Sequence, residues 1–396
     1  WREPKHNGNI GTDGGADTRT TLESRGFTSQ TDKTPSWRAG AIEQPVVAKS
    51  TMNRQRVRLG DLSVGFVHSL ISALQEQHID PQPLLDAYGL DHARLSEPRA
   101  RLSIPRYMRL GHAAMQLVGD PGLGLEMGRL RKAGHLGLVG VTSAQAPTVR
   151  EAARALIRYE PLYASNYRGA SGFHEDTTGA WLRFYSISPY NSYNQFVVDT
   201  VLASWVTQLG AVASQPLTPV AVQIEFQRPN YAARYETFFG KTVEFAAEHN
   251  QLRLDQATLA LRNPEHCPGT WRQLLELCEA ELELRTRTRS LRERVAQLLG
   301  PMLKGQEPDL QQVAGRLQLP PWTLRRKLDE EGTSYRAILN DTRRDLAMAY
   351  IRDTESAFGE IAWLLGFSSA EAFQRAFKRW SGQTPGEYRR AQRRAE

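Results

Sequence analysis

Ile361-Ala362-Trp363-Leu364-Leu365-Gly366-Phe367-Ser368-Ser369-Ala370-Glu371-Ala372-Phe373-Gln374-Arg375-Ala376-Phe377 reads as a helix, a tight turn and a second helix, and the chain contains the pattern twice. Val313-Ala314 answers Ile361-Ala362, Leu317 answers Leu365, and Leu319 answers Phe367, all at an offset of 48. Past the turn, Leu324, Arg326 and Leu328 match Phe373, Arg375 and Phe377 at an offset of 49, so the second copy carries one extra turn residue. An internal repeat of this kind marks one supersecondary unit used twice. Gly366 stands where such a turn needs positive φ. Gln318 occupies that place in the first copy, which either strains the motif or uses a different turn.

A helix enters the major groove only when a second helix braces it from behind. Ala314 and Ala362 are small enough to let the bracing helix approach, and Leu324 or Phe373 fills the angle between the two. The outward side chains of each second helix are then free to meet base edges. In the first unit these are Trp322, Arg325 and Arg326, and in the second Ala370, Glu371, Gln374, Arg375 and Lys378. Arg donates twice to guanine, Gln pairs with adenine and Glu accepts from cytosine. Arg375 has an equally weighted alternative, pairing with Glu371 one turn earlier, and Trp322 could pack on a neighbouring helix instead. Ser334 to Ile351 is expected as a rigid spacer helix about 25 Å long. Arg389 and Arg390, past Pro385, are expected to meet phosphate if they touch DNA at all.

Working back from this unit, residues 291–396 read as all-α. Trp271, Leu274, Leu275, Cys278 and Leu282 form an apolar stripe on a linker helix within 263–290, which is expected either to dimerise or to dock on the preceding domain. Residues 59–262 read as one α+β domain, opening with helices near Val64–Leu74, Pro81–Tyr88 and Pro105–Leu117. Thr148 starts a further helix, and Phe196–Leu209 has the spacing of a buried one. The period changes to two at Trp181–Ile187 and Val220–Phe226, with short strands near Thr242–Phe245 and Gln251–Leu254, so a small, mostly antiparallel sheet is expected. Residues 1–58 are polar and Gly-rich, and are expected to be a disordered extension, with Met52 as the natural start.

The run Ile361-Ala362, Gly366-Phe367, Ser369, Phe373, Arg375, Phe377-Lys378, Gly382, Thr384-Pro385 and Tyr388-Arg389 resembles the signature of AraC/XylS-type transcription regulators, and Glu331-Gly332-Thr333-Ser334 resembles the link after their first reading helix. Arg158-Tyr159-Glu160-Pro161-Leu162 and Phe238-Phe239-Gly240-Lys241-Thr242-Val243-Glu244-Phe245 are similar to the subgroup whose sensor is called arabinose-binding. The resemblance implies an activator that binds double-stranded promoter DNA, contacts RNA polymerase and answers a small-molecule effector, with a homodimer as one arrangement. A DNA reader fused to an enzyme, and a DNA binder that needs no ligand, are the competing readings.

The formal charge of +7 permits a nucleic-acid partner without proving one, and residues 291–396 carry 18 Lys and Arg against 14 Asp and Glu. Cys267 and Cys278 are the only cysteines, too few for a disulfide-stapled fold and not spaced as CxxC. No apolar run is long enough to span a bilayer, and the expected location is the cytoplasm. No catalytic motif, metal cluster or cofactor signature is found: Gly122 to Gly128 misses the dinucleotide spacing, and His266-Cys267 lies in the linker. Gly134, Gly137 and Gly140 read as backbone turns. A cluster of aromatic residues is mostly core, and His135, Arg158, Tyr159, Trp181 and Tyr185 are the candidates for touching an effector.

Overall fold

A computed structural model describes residues 60–166, 169–186, 190–287, 290–303, 305–354 and 356–395. The expected extension at 1–58 with its start at Met52 lies outside the described residues, as does Ile187.

The N-terminal part opens on helices α1 (Gly65–Glu76), α2 (Gln82–Ala87), α3 (His92–Ser96) and α4 (Ile104–Val118). Each follows local chemistry. Ser103 caps α4 by accepting from the Arg106 N–H, and Gly119 ends it at φ 71°, a left-handed position that suits glycine. Val67, Leu70, Ala73 and Leu74 give α1 its buried stripe. The glycine-rich run at 122–128 forms helix α5 (Leu123–Arg129). Its glycines let it lie against α9 (Gln195–Val212): a Cβ on Gly124 would come within 2.6 Å of the Phe196 carbonyl, and one on Gly128 within 2.4 Å of the Ala203 methyl. A 3-10 turn at Ala133–Leu136 leads into α6 (Gly137–Ala144). Here the reading of Gly140 as a turn is corrected. Gly137 does have positive φ, but Gly140 lies inside α6, where a Cβ would strike the Ala133 carbonyl at 2.0 Å. Helices α7 (Val149–Arg158), capped by Thr148, and α8 (Glu160–Tyr163) follow.

Three short strands, β1 (Gly60–Ser63), β2 (Arg101–Ser103) and β3 (Ala164–Asn166), form an antiparallel sheet in the order β2-β1-β3. A second sheet runs β4-β5-β8-β6-β7, built from β4 (Gly172–Glu175), β5 (Gly179–Phe184), β6 (Ala221–Ile224), β7 (Val243–Phe245) and β8 (Asn250–Asp255). All its pairs are antiparallel except β6 with β7, which are joined through helix α10 (Ala232–Phe239), the crossover that a parallel pair requires. One face buries Leu182, Val222, Ile224, Leu252 and Leu254, and Phe184 meets Trp205 of α9 edge to face. The other face is polar. Arg183 donates to Gln251 at 3.1 Å, Gln251 to Gln223 at 2.5 Å and Gln223 to Glu244 at 2.7 Å, a ladder across four strands. Helix α11 (Gln256–Leu259) closes this part.

The rest is helical. The long helix α12 (Pro268–Arg287) precedes α13 (Leu291–Met302), α14 (Leu310–Arg316), α15 (Pro321–Glu330), α16 (Tyr335–Asp353), α17 (Phe358–Leu364), α18 (Ala370–Ser381) and α19 (Pro385–Ala395). The fold is therefore an α+β N-terminal region followed by an all-α region with two helix-turn-helix units. Among the described residues, no helix is long and apolar enough to cross a membrane.

Candidate nucleic-acid interface

The two units α14–α15 and α17–α18 have the same turn. In the first, Gln318 N–H donates to the Gly315 carbonyl at 3.1 Å and Leu319 N–H to that of Ala314 at 3.0 Å. In the second, Gly366 N–H donates to Trp363 at 3.0 Å and Phe367 N–H to Ala362 at 3.0 Å. The left-handed residue is Gln318 at φ 55° in one and Gly366 at φ 68° in the other, so the first unit keeps the turn and bears the strain of a side chain there. The glycine answers a second demand, because a Cβ on Gly366 would lie 2.4 Å from the Gln306 carbonyl. After the turn the units diverge: Pro320 and Pro321 start α15 without a side-chain cap, whereas Ser369 caps α18 by accepting from the Ala372 N–H at 3.2 Å.

Val313, Ala314, Leu324 and Leu328 are buried in the first unit, and Ile361, Ala362, Leu365, Phe373 and Phe377 in the second. With those faces inward, the opposite faces of α15 and α18 look outward. Trp322 is 67% exposed, which answers the alternative that it packs on a neighbour. Arg325 and Arg326 are exposed beside it, with the Arg326 guanidinium 5.8 Å from the Trp322 ring and its Nε 3.5 Å from Glu330. An exposed pair of that kind contributes little to stability and leaves the arginine available. On α18, Glu371, Gln374, Arg375 and Lys378 are exposed and Ala370 is half-buried. Hydrogen bonding to Ser369 and to its own backbone holds the Glu371 carboxyl below its usual range, with Arg375 a weaker influence.

The spacer α16 spans 19 residues, about 28 Å, and packs against α13, α17, α18 and α19. Arg343, missed in the sequence, fastens it to the second turn. Its Nε and Nη2 donate to the carbonyls of Leu365 and Gly366 at 2.8 Å, Nη1 meets Glu307 at 2.8 Å, and the guanidinium lies 4.9 Å from the Phe367 ring. The available signal was an arginine interrupting the otherwise apolar face of Leu339, Leu346 and Ala347. Arg389 has a similar task, which corrects its expected place at phosphate. It donates to the Ile351 carbonyl at 3.2 Å and the Ser356 carbonyl at 2.6 Å and lies over the Phe358 ring at 4.6 Å, while Arg390 stays exposed.

The candidate effector residues do not converge. Arg158 and Tyr159 both engage Glu279 of α12, at 2.7 Å, so they hold the linker helix. Burial and Glu279 push the Tyr159 hydroxyl up to about 12. The same helix inserts the buried Cys278, whose Sγ lies 3.3 Å from the Thr142 hydroxyl of α6, and Arg285 donates to the Pro161 carbonyl at 3.0 Å. Of the two expectations for this helix, docking is what the structure shows. Trp181 lies under Arg253 at 5.3 Å. Tyr185 lines a cavity of about 880 Å³ shared by Asn166, His174 and Arg183 of the N-terminal part and Arg294 and Arg316 of α13 and α14. His135 stacks on His68 at 5.7 Å, and burial, aided by Arg131, His68 and Lys132, brings its ring down to about 4. Elsewhere, buried Asp199 on α9 accepts from Tyr235 at 2.6 Å and Tyr231 at 3.2 Å, and burial raises its carboxyl to about 7. His266 and Cys267 do not form a nucleophile and base: the ring nitrogen of His266 meets the Gln145 carbonyl at 2.8 Å, and the Cys267 sulfur accepts from Thr270.

Two small turned units, each braced by a partner helix and presenting an exposed polar helix, define the class: a DNA-binding transcription regulator with tandem helix-turn-helix units. Comparison with known proteins narrows it. Residues 79–263 match the arabinose-binding domain of AraC transcription regulators, and 313–391 match a helix-turn-helix domain. The ornithine utilization regulator of Pseudomonas aeruginosa is 30% identical over 333 residues, covering 83% of this chain and 96% of that one. The regulator VirS of Mycobacterium tuberculosis is 26% identical over 319 residues, covering 80% and 92%. The crystal structure of the regulator CdpR from Pseudomonas aeruginosa aligns with a TM-score of 0.41 at 20% identity, over 82% of this chain and 98% of that one. The chain belongs to the AraC family of transcription regulators.

Proposed function

We propose that the chain is a ligand-responsive activator, acting in the cytoplasm, in which residues 59–262 sense a small-molecule effector, the linker helix within 263–290 relays its presence, and residues 291–396 read promoter DNA. Trp322, Arg325 and Arg326 of the first unit and Ala370, Glu371, Gln374, Arg375 and Lys378 of the second are its reading surface. The observation that carries the proposal is the matched turn in both units, which turns the apolar side of α15 and α18 inward and leaves these side chains outward. The relay is supported by α12, which is bonded to the N-terminal region through Cys278, Glu279 and Arg285. RNA polymerase is the second macromolecular partner in this reading. A homodimer is part of it as well: Leu277 and Leu284, two turns apart on α12, are 51% and 57% exposed. The Pseudomonas relative is named for ornithine utilization, so ornithine is the first effector to try.

The test is binding of the full-length protein to promoter fragments from its own regulon across a salt series. Binding through 6 to 10 phosphate contacts should weaken by about 10³ to 10⁵ between 50 and 200 mM salt. A protein that shows no salt-sensitive binding to any such fragment contradicts the reading.

A further inference from the structure

Arg131 is an arginine in the wrong place for an ordinary fold. It is 4% exposed, and its Nε and Nη2 have no hydrogen-bond partner. Among the described residues no carboxylate pairs with it. Its surroundings are aromatic: the guanidinium lies 4.2 Å from the centre of the Phe66 ring, which packs edge-on against Tyr107 at 5.9 Å and stacks on Tyr163 at 6.0 Å. The Tyr107 hydroxyl, also buried, faces Arg131, which can only donate to it, and among the described residues it has no acceptor for its own O–H. Burial pushes that hydroxyl up to about 12, so it stays neutral and offers an O–H rather than a negative charge. His135, close enough for Arg131 to depress its ring, is neutral too.

A buried charge is normally paired, because an uncompensated one forfeits its hydration, and an unsatisfied buried group calls for a specific explanation. Cation–π contact with Phe66 offsets only part of the loss. A guanidinium with unspent Nε and Nη2 donors beside a hydroxyl with an unspent O–H is the donor set that grips a carboxylate.

We propose that Arg131 and Tyr107 receive the carboxylate of a small-molecule effector in the helical half of the N-terminal region, between α1, α4 and the 3-10 turn at 133–136. The inference rests on the ligand-responsive reading above and gives its effector a chemical class. Position gives the site a consequence. Arg131 lies two residues before the 3-10 turn, the turn runs into α6, and Thr142 of α6 touches Cys278 of the linker helix. Engaging Arg131 therefore acts on the segment against which α12 is docked.

The test melts the full-length wild type, Arg131→Met and Tyr107→Phe at fixed ionic strength in chloride and in acetate, butyrate, benzoate or L-ornithine. At least one carboxylate, at about tenfold excess over its Kd, should raise the wild-type midpoint by roughly 3 °C or more over chloride. Arg131→Met should melt at or above wild type in chloride, since an unpaired buried charge is gone, and should lose the rise. Tyr107→Phe should keep its chloride midpoint and show a reduced rise. An Arg131→Met protein melting well below wild type in chloride would show that the guanidinium serves the fold, and overturns the proposal. So does a carboxylate series that treats wild type and Arg131→Met alike, whether both rise or neither does. Promoter binding measured on the same samples separates the two levels. An Arg131-dependent rise with unchanged DNA affinity keeps the anion site and sinks the ligand-responsive regulator; a carboxylate-dependent change in DNA affinity that Arg131→Met retains does the reverse.

Discussion

The first and second helix-turn-helix units close their turns with the same pair of backbone hydrogen bonds, yet one uses Gln318 and the other Gly366 at the left-handed position. The difference lies in what surrounds the turn. Gly366 is pressed against the Gln306 carbonyl and clasped by Arg343, so no side chain fits there, whereas Gln318 points outward and is exposed. A conformational requirement alone tolerates a strained residue; the same requirement combined with close backbone approach does not. The second unit is thus built into the body of the helical region, and the first is held by its own two helices and α13.

That contrast can be broken by substitution. Gly366→Ala should have the largest effect, a loss of about 2 to 3 kcal/mol from positive φ plus the contact with Gln306, measured by denaturant unfolding of the full chain. An alanine tolerated within 0.5 kcal/mol would mean that the close approach relaxes freely. Ser369→Ala removes the cap of α18 and should cost about 1 kcal/mol, a loss with no counterpart at Pro320, which supplies no side-chain cap. Gln318→Gly should change stability least and in the opposite direction, a gain of about 0.5 to 1 kcal/mol from relief of strain, partly offset by the freedom of glycine in the unfolded chain. A destabilised Gln318→Gly protein would show that the glutamine side chain has a role in the first turn.

The tandem units were legible because their signals are local: apolar spacing, a turn residue and a repeat all fall within about 17 residues. The three-stranded sheet was not, since β1 pairs Asp61 with Ser103 and Ser165, partners far along the chain, and strands of three or four residues carry no readable period. Helix α5 was hidden by Gly122, Gly124 and Gly128, which look like a loop in sequence; Gly124 and Gly128 are there because α9 comes so close, and Gly122 lies against the Arg234 side chain. The outward residues of α15 and α18 follow directly from the repeat. The effector candidates do not, because a pocket gathers side chains from separate elements. Arg158 and Tyr159 were drawn from a conspicuous motif and serve Glu279, while Arg131 sits in an unremarked Arg-Leu-Arg-Lys run and is set apart only by its burial.

Whether the two exposed helices read sequence is tested most directly by selecting binding sites from random duplex DNA with the full-length wild type, Arg326→Ala and Gln374→Ala. Arg326 and Gln374 occupy the outward faces of different units, so each loss should relax preference at one position, costing about 1 to 3 kcal/mol there. The two relaxed positions should fall in half-sites about one helical turn, or 10 to 10.5 base pairs, apart. Variant site preferences that both match the wild type would contradict the assignment of these faces as the reading surface.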